Sequence, residues 1–102
     1  MKSLFDYIDT SKEAYKSILP HLSGMKARVL QAIRNSPSTD DHLEIILDMR
    51  HQSLSACRRH LVKDGLVEES GDYLPTRSGR KARVWRITEK GIVALSRKKD
   101  EQ

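Results

Sequence analysis

From Met25 to Leu61 the apolar residues of this chain recur at three- and four-residue intervals, and after Gly65 that spacing stops. A period near 3.6 buries one face of a helix, whereas short runs of β-branched and aromatic residues suit strands. The chain must therefore stack amphipathic helices first and close on a small sheet afterwards. Gly65 stands at the change, where a residue tolerant of left-handed backbone ends a helix. With 102 residues there is room for one such domain and not for two.

Met25, Val29, Leu30 and Ile33 predict a helix over 24–35, ended by Asn35-Ser36-Pro37. Ser38 or Thr39 suits the cap of a second helix over 39–48. Its first turn holds Asp40 and Asp41, where the helix dipole favours negative charge. Leu43, Ile46 and Leu47 form its buried stripe. Leu54, Cys57 and Leu61 predict a third helix over 51–64. Leu66-Val67 then opens a short strand through Glu69, Ser70-Gly71-Asp72 signals a turn, and Tyr73-Leu74 is a weakly extended piece. Residues 82–88, with Val84, Trp85 and Ile87, make the strongest strand. Thr88 suits the cap of a last helix to about Arg97, with Ile92 and Leu95 as its apolar contacts. Ahead of all these, Thr10 and Glu13 have capping-box spacing. A further helix over 10–19 is expected there, with Tyr15, Ile18, Leu19 and Leu22 as its stripe. The fold class is thus mainly α with a small β-hairpin. Its domain spans 23–97, with an N-terminal helical extension over 1–22 and a frayed tail over 98–102.

Charge narrows the function. The formal net charge is +5, yet residues 1–49 carry 6 basic and 7 acidic side chains while residues 50–102 carry 13 and 7. All the positive excess lies in the second half, which points to a polyanion partner or a basic tail. Residues 77–86 read RSGRKARVWR, with five basic residues and no acidic one. A solvated basic loop is the bland reading of that run. No apolar run approaches the ~20 residues of a membrane span, so no membrane partner is expected. The N-terminus lacks the apolar core of a secretory signal. The single cysteine, Cys57, excludes an internal disulfide and fits a reducing cytoplasm.

Chemistry-bearing patterns are absent. Ser, His and Asp are present without a nucleophile motif, no glycine-rich phosphate loop is visible, and Glu68-Glu69 read as a solvated strand. Cys57 and His60 lie near one helical face, but a metal would need His42 or His51 to converge with them. Cys57 is read as a buried thiol and Trp85 as a core plug. The expectation is a non-enzyme without cofactor or metal.

The order helix, helix, helix, strand, basic loop, strand, helix is that of a winged helix-turn-helix. The stretch LDMRHQSLSACRRHLVKDGLV, Leu47 to Val67, resembles the turn and recognition helix of MarR-like and related winged-helix regulators. Ile87-Thr88-Glu89-Lys90-Gly91 resembles the segment that leaves the wing in the same proteins. SKEAYKSILP, HQSLSACRR and TRSGRKARVW are similar to small winged-helix proteins of bacteriophage genomes, which implies a bacterial host cytoplasm. Three positions depart from the pattern. Asp48 replaces the usual turn glycine, Arg50 replaces the usual Ser or Thr cap, and Arg58 occupies a frequently apolar position.

The resemblance implies that His51, Gln52, Ser53, Ser55, Ala56 and Arg59 face double-stranded DNA in the major groove. Gln52 suits adenine, Arg59 guanine or phosphate, Ser53 and Ser55 phosphates, and Ala56 a thymine methyl. The wing would set Arg80 and Lys81 on phosphates or a minor groove, with Arg77, Arg83 and Arg86 extending the basic strip. Alternation along the strand prevents all of these arginines from facing one side. Other partners stay open. The acidic residues Asp40, Asp41, Glu44 and Asp48 suit a protein-interaction surface, and Leu4, Ile8, Tyr15, Ile18 and Leu22 suit a homodimer contact through the N-terminal helix. A DNA-binding accessory in replication, recombination or packaging has the same site requirements.

Overall fold

The computed structural model describes residues 19–100, with side chains to Arg97. The helix expected over 10–19, its capping box and most of the dimer contact lie outside these residues. The described elements are α1 (Gly24–Asn35), α2 (Asp40–Leu47), α3 (His51–Lys63), β1 (Val67–Pro75), β2 (Lys81–Ile87) and α4 (Glu89–Asp100). Their order is the one the sequence predicts. No helix among them is long and apolar enough to cross a membrane.

Local chemistry sets the helix ends. The Lys26 N–H donates to the Ser23 hydroxyl at 3.3 Å, and the His42 N–H donates to the Thr39 hydroxyl at 3.1 Å. These side chains satisfy donors that a helix leaves open in its first turn. At the far end of α2, Asp48 adopts left-handed backbone (φ 51°, ψ 50°) in place of glycine, as the sequence requires. Thr88 caps α4 by accepting the Gly91 N–H at 3.0 Å.

The three-helix core is built from the predicted stripes. Val29, Leu30 and Ile33 of α1, Leu43 of α2, and Leu54, Cys57 and Leu61 of α3 are all buried. Leu22, Leu66, Val67 and Trp85 join them in one cluster. Each large aliphatic so buried contributes roughly 1.5–3 kcal/mol. Two expected members are absent: Met25 and Ile46 are exposed. Both α1 and α2 meet the core along a narrower stripe than their apolar content suggests. In α4 the buried residues are Val93, Ala94 and Leu95, while Ile92 is only half-buried. That helix also runs three residues past the expected end at Arg97.

The hairpin differs most from expectation. Ser70-Gly71-Asp72 does not end a strand; β1 runs through it. Glu69 pairs with Trp85 and Tyr73 with Arg83, so four positions of β1 advance against two of β2. The surplus forms a bulge in which Gly71 takes a positive φ of 92° and the Asp72 N–H donates to the Ser70 hydroxyl at 3.2 Å. The turn residues read from the sequence are therefore bulge residues, which meet the same backbone demand. On its other edge β2 takes a third short partner. Ser38 and Trp85 exchange backbone hydrogen bonds at 3.0 and 2.8 Å, which fastens the hairpin to the α1–α2 connection.

Candidate nucleic-acid interface

The outer face of α3 carries the predicted contact residues. Leu54, Cys57 and Leu61 point into the core, and the helical period sends the intervening side chains the other way. His51, Gln52, Ser53 and Arg59 are exposed, and Ser55 and Ala56 half-buried. The helix begins at Arg50, whose extended backbone supplies no side-chain cap. Its first turn thus presents N–H groups without a capping acceptor.

Residues 76–80 form a tight loop at the end of the hairpin. The Thr76 N–H donates to the Arg80 carbonyl at 2.8 Å and the Gly79 N–H to the Thr76 carbonyl at 2.9 Å. Gly79 turns with a positive φ of 84°. Arg80 and Lys81 project from this loop, exposed and, among the described residues, without an ion-pair partner.

The other basic residues of the run are engaged. Arg77 Nε donates to Asp41 Oδ1 at 2.7 Å, and its backbone N–H donates to Asp41 Oδ2 at 3.1 Å. Its Nη2 reaches Glu44 Oε1 at 3.5 Å. Arg83 pairs with Glu69 at 3.1 Å and Arg86 with Glu68 at 3.2 Å, both across the hairpin. On the opposite side of Glu44, its Oε2 lies 2.9 Å from His51 Nδ1. One carboxylate of α2 therefore sits between the start of α3 and the hairpin loop. The hydrogen bond to Glu44, followed by the carboxylate's charge, holds the His51 imidazole above the usual histidine range. The Arg77 guanidinium, by its hydrogen bond, holds Asp41 below the usual carboxylate range.

This linkage was hidden in the sequence. Asp41 and Glu44 share an α2 face at i and i+3, which their sequence context explains by the helix dipole alone. Nothing local pairs them with a residue 36 positions later. Arg58, the departure at an apolar position, is also accounted for. Its guanidinium lies 4.3 Å above the Trp85 ring and grips both carboxylate oxygens of Asp40, with Nη2–Oδ2 at 2.9 Å. Trp85 fills the core beneath it, and burial pushes the Cys57 thiol up. Among the described residues no cluster of His, Cys, Asp and Glu has the makings of a metal site.

No family model and no curated protein matches the chain. Solved structures do. A PadR-like transcriptional regulator from Bacillus cereus superposes with a TM-score of 0.62 at 19% identity, over 87% of this chain and 84% of its own. The multiple antibiotic resistance repressor MarR gives 0.61 at 19% identity, over 95% and 72%. The MepR–DNA complex of S. aureus gives 0.63 at 14% identity, over 94% and 73%. The fold is a winged helix-turn-helix. In its terms α2 and α3 are the helix-turn-helix, α3 stands at the place of the recognition helix, and residues 76–80 are the wing tip.

Proposed function

We propose that this protein binds double-stranded DNA sequence-specifically and acts as a transcriptional regulator in a bacterial cytoplasm, encoded by a bacteriophage. The observation that carries the reading is the juxtaposition of a polar recognition-helix face with two exposed wing-tip cations that have no ion-pair partner among the described residues. His51, Gln52, Ser53, Ser55, Ala56 and Arg59 enter the major groove from the α3 start. Gln52 and Arg59 read base edges, and Arg80 and Lys81 meet phosphates or a flanking minor groove. Arg83 joins them at little cost. It is 59% exposed and its partner Glu69 52% exposed, and such surface pairs hold by about 0–1 kcal/mol. Solved relatives of the fold include regulators and a DNA complex, which supports the same reading.

The protein-interaction alternative has less to draw on than the DNA reading. Three of its four carboxylates, Asp40, Asp41 and Glu44, are engaged by Arg58, Arg77 and His51, which leaves Asp48 alone to meet a partner. A homodimer through the N-terminal segment remains part of the proposal, with two copies reading two half-sites. Leu22 is not available to it, because it is buried in the domain's own core.

Fluorescence anisotropy with random duplex DNA across a salt series, followed by site selection, tests the reading. Arg80→Ala and Lys81→Ala should each weaken binding to all sequences and reduce the salt slope by about 0.9. Gln52→Ala and Arg59→Ala should shift the preferred site, each with ~1–3 kcal/mol of lost discrimination. Absence of binding at low salt, or four silent substitutions, rejects the interface.

A further inference from the structure

Arg77 stands in the basic run, yet its contacts differ in kind from those of Arg83 and Arg86. Those two reach across the hairpin to half-exposed glutamates. Arg77 instead reaches off the hairpin to α2. Asp41 receives both its backbone N–H and its side-chain Nε, at 3.1 and 2.7 Å. Two bonds from one carboxylate to one residue fix the position of the loop backbone as well as the side chain. Glu44, whose side chain is only 12% exposed, takes the end of the same guanidinium and, through its other oxygen, the His51 ring. Asp41, Arg77, Glu44 and His51 thus form a continuous chain from the wing tip, over α2, to the first turn of the recognition helix.

We propose that Asp41 and Glu44 are positioning residues for DNA binding, which hold the wing, through Arg77, at a fixed offset from the recognition helix. Arg77 is then part of the scaffold and not a phosphate contact. The role rests on the DNA-binding reading above, because the offset matters only where both elements engage one duplex. The wing cations and the α3 face must meet features of DNA that have their own fixed spacing. A wing held in register brings Arg80 and Lys81 to the backbone without an ordering cost at binding.

Charge and position make opposite forecasts here, so the experiment is decisive. Removing a carboxylate near DNA strengthens binding on charge grounds alone. The anchor requires the reverse. Asp41→Ala should weaken binding to the selected site about three- to tenfold, with Arg77→Ala alike and the double variant no weaker than the worse single one. All should keep the wild-type salt slope to within about 0.3, because no phosphate contact has been removed. Glu44→Gln should lose less, and Arg77→Lys should recover only part of the loss, since an ammonium lacks the planar fork. A drop in slope of about 0.9 in Arg77→Ala with a silent Asp41→Ala overturns the proposal and returns Arg77 to the phosphates. Tighter binding by Asp41→Ala or Glu44→Gln overturns it too, because the carboxylates would then be withholding Arg77 from DNA.

A readout without DNA separates this idea from the function it rests on. Amide exchange of the Arg77 N–H, followed by NMR in the full chain, should accelerate several-fold in Asp41→Ala while core amides of α1 and α3 stay protected. Equal exchange in both proteins removes the anchor whatever the DNA result. If the wild type binds no DNA while the exchange does accelerate, the anchor stands as structure and its role in DNA binding falls with the function.

Discussion

Gly91 shows how a single atom is excluded by the fold. It lies in the first turn of α4 against the α3–β1 connection, and a Cβ there would collide with the Leu66 carbonyl and stand 2.6 Å from Ile87 Cγ1. That carbonyl is not free to retreat, because it accepts the Thr88 N–H at 3.0 Å. Thr88 is itself held, its hydroxyl donating to the Gly65 carbonyl at 2.6 Å. Gly91→Ala gains about 1 kcal/mol of helix propensity and loses roughly 1–3 kcal/mol to overpacking. A lower denaturation midpoint is therefore expected, and a raised one would contradict the geometry. Arg58 makes the companion case. Its side chain is 15% exposed and that of Asp40 19%, so Arg58→Ala strips a half-buried carboxylate of its partner and uncovers Trp85. A loss of about 1–3 kcal/mol in chemical denaturation is expected, less than for a fully buried pair. Asp40→Asn should lose less, because the amide oxygen still accepts from Arg58. The sequence marked Arg58 as a departure from an apolar pattern but held no local sign of its partner, 18 residues away.

Elements were legible in proportion to how local their causes are. The boundaries of α1, α2 and α3 follow from apolar spacing and from Pro37, Thr39, Asp48 and Gly65, all within a turn of the helix ends. The sequence reads β1 as two pieces because a turn and a bulge ask for the same residues, and only pairing with β2 distinguishes them. One contact of the joint between α2 and α3, His51 to Glu44, carries a titration the sequence does not reveal. His51 donates to Glu44, with Asp40 adding negative potential and Arg77 competing for the same carboxylate from the wing. A histidine whose folded pKa is raised stabilises the fold fully below its ordinary value, and that contribution is lost as pH rises through the folded value. The His51–Glu44 contact should therefore weaken from mildly acidic toward alkaline pH. An NMR titration of the His51 ring should give a midpoint above that of an unperturbed histidine, and Glu44→Gln should bring it down. Equal midpoints in the two proteins would remove Glu44 as the cause. Asp41 carries the opposite sign: its depressed pKa makes the wing anchor complete above the ordinary carboxylate value and lost as pH falls through the folded one.

At the scale of the whole molecule, net charge is a poor guide to how this protein meets a polyanion. The second half holds 13 basic side chains, which suggests a long list of phosphate contacts. The fold withdraws many of them. Arg58, Arg77, Arg83 and Arg86 face carboxylates, and the Lys90 ammonium donates to the Asp64 carbonyl at 2.9 Å. What remains for DNA on the proposed face is Arg59 on the helix side and Arg80 and Lys81 on the wing, with Arg83 exchangeable. Each cation that displaces counterions adds about 0.9 to the slope of log affinity against log salt. One copy on random duplex should therefore show a slope of about −3 to −4, and two copies on a two-fold site about double that. Light scattering on the same complex tells the two apart. A slope near −8 from a single copy would mean that the internal ion pairs open on DNA, and the fixed relation of wing to recognition helix would have to be given up. A slope near zero would leave the basic run as solvated surface, with its pairings serving only to hold the hairpin against α2.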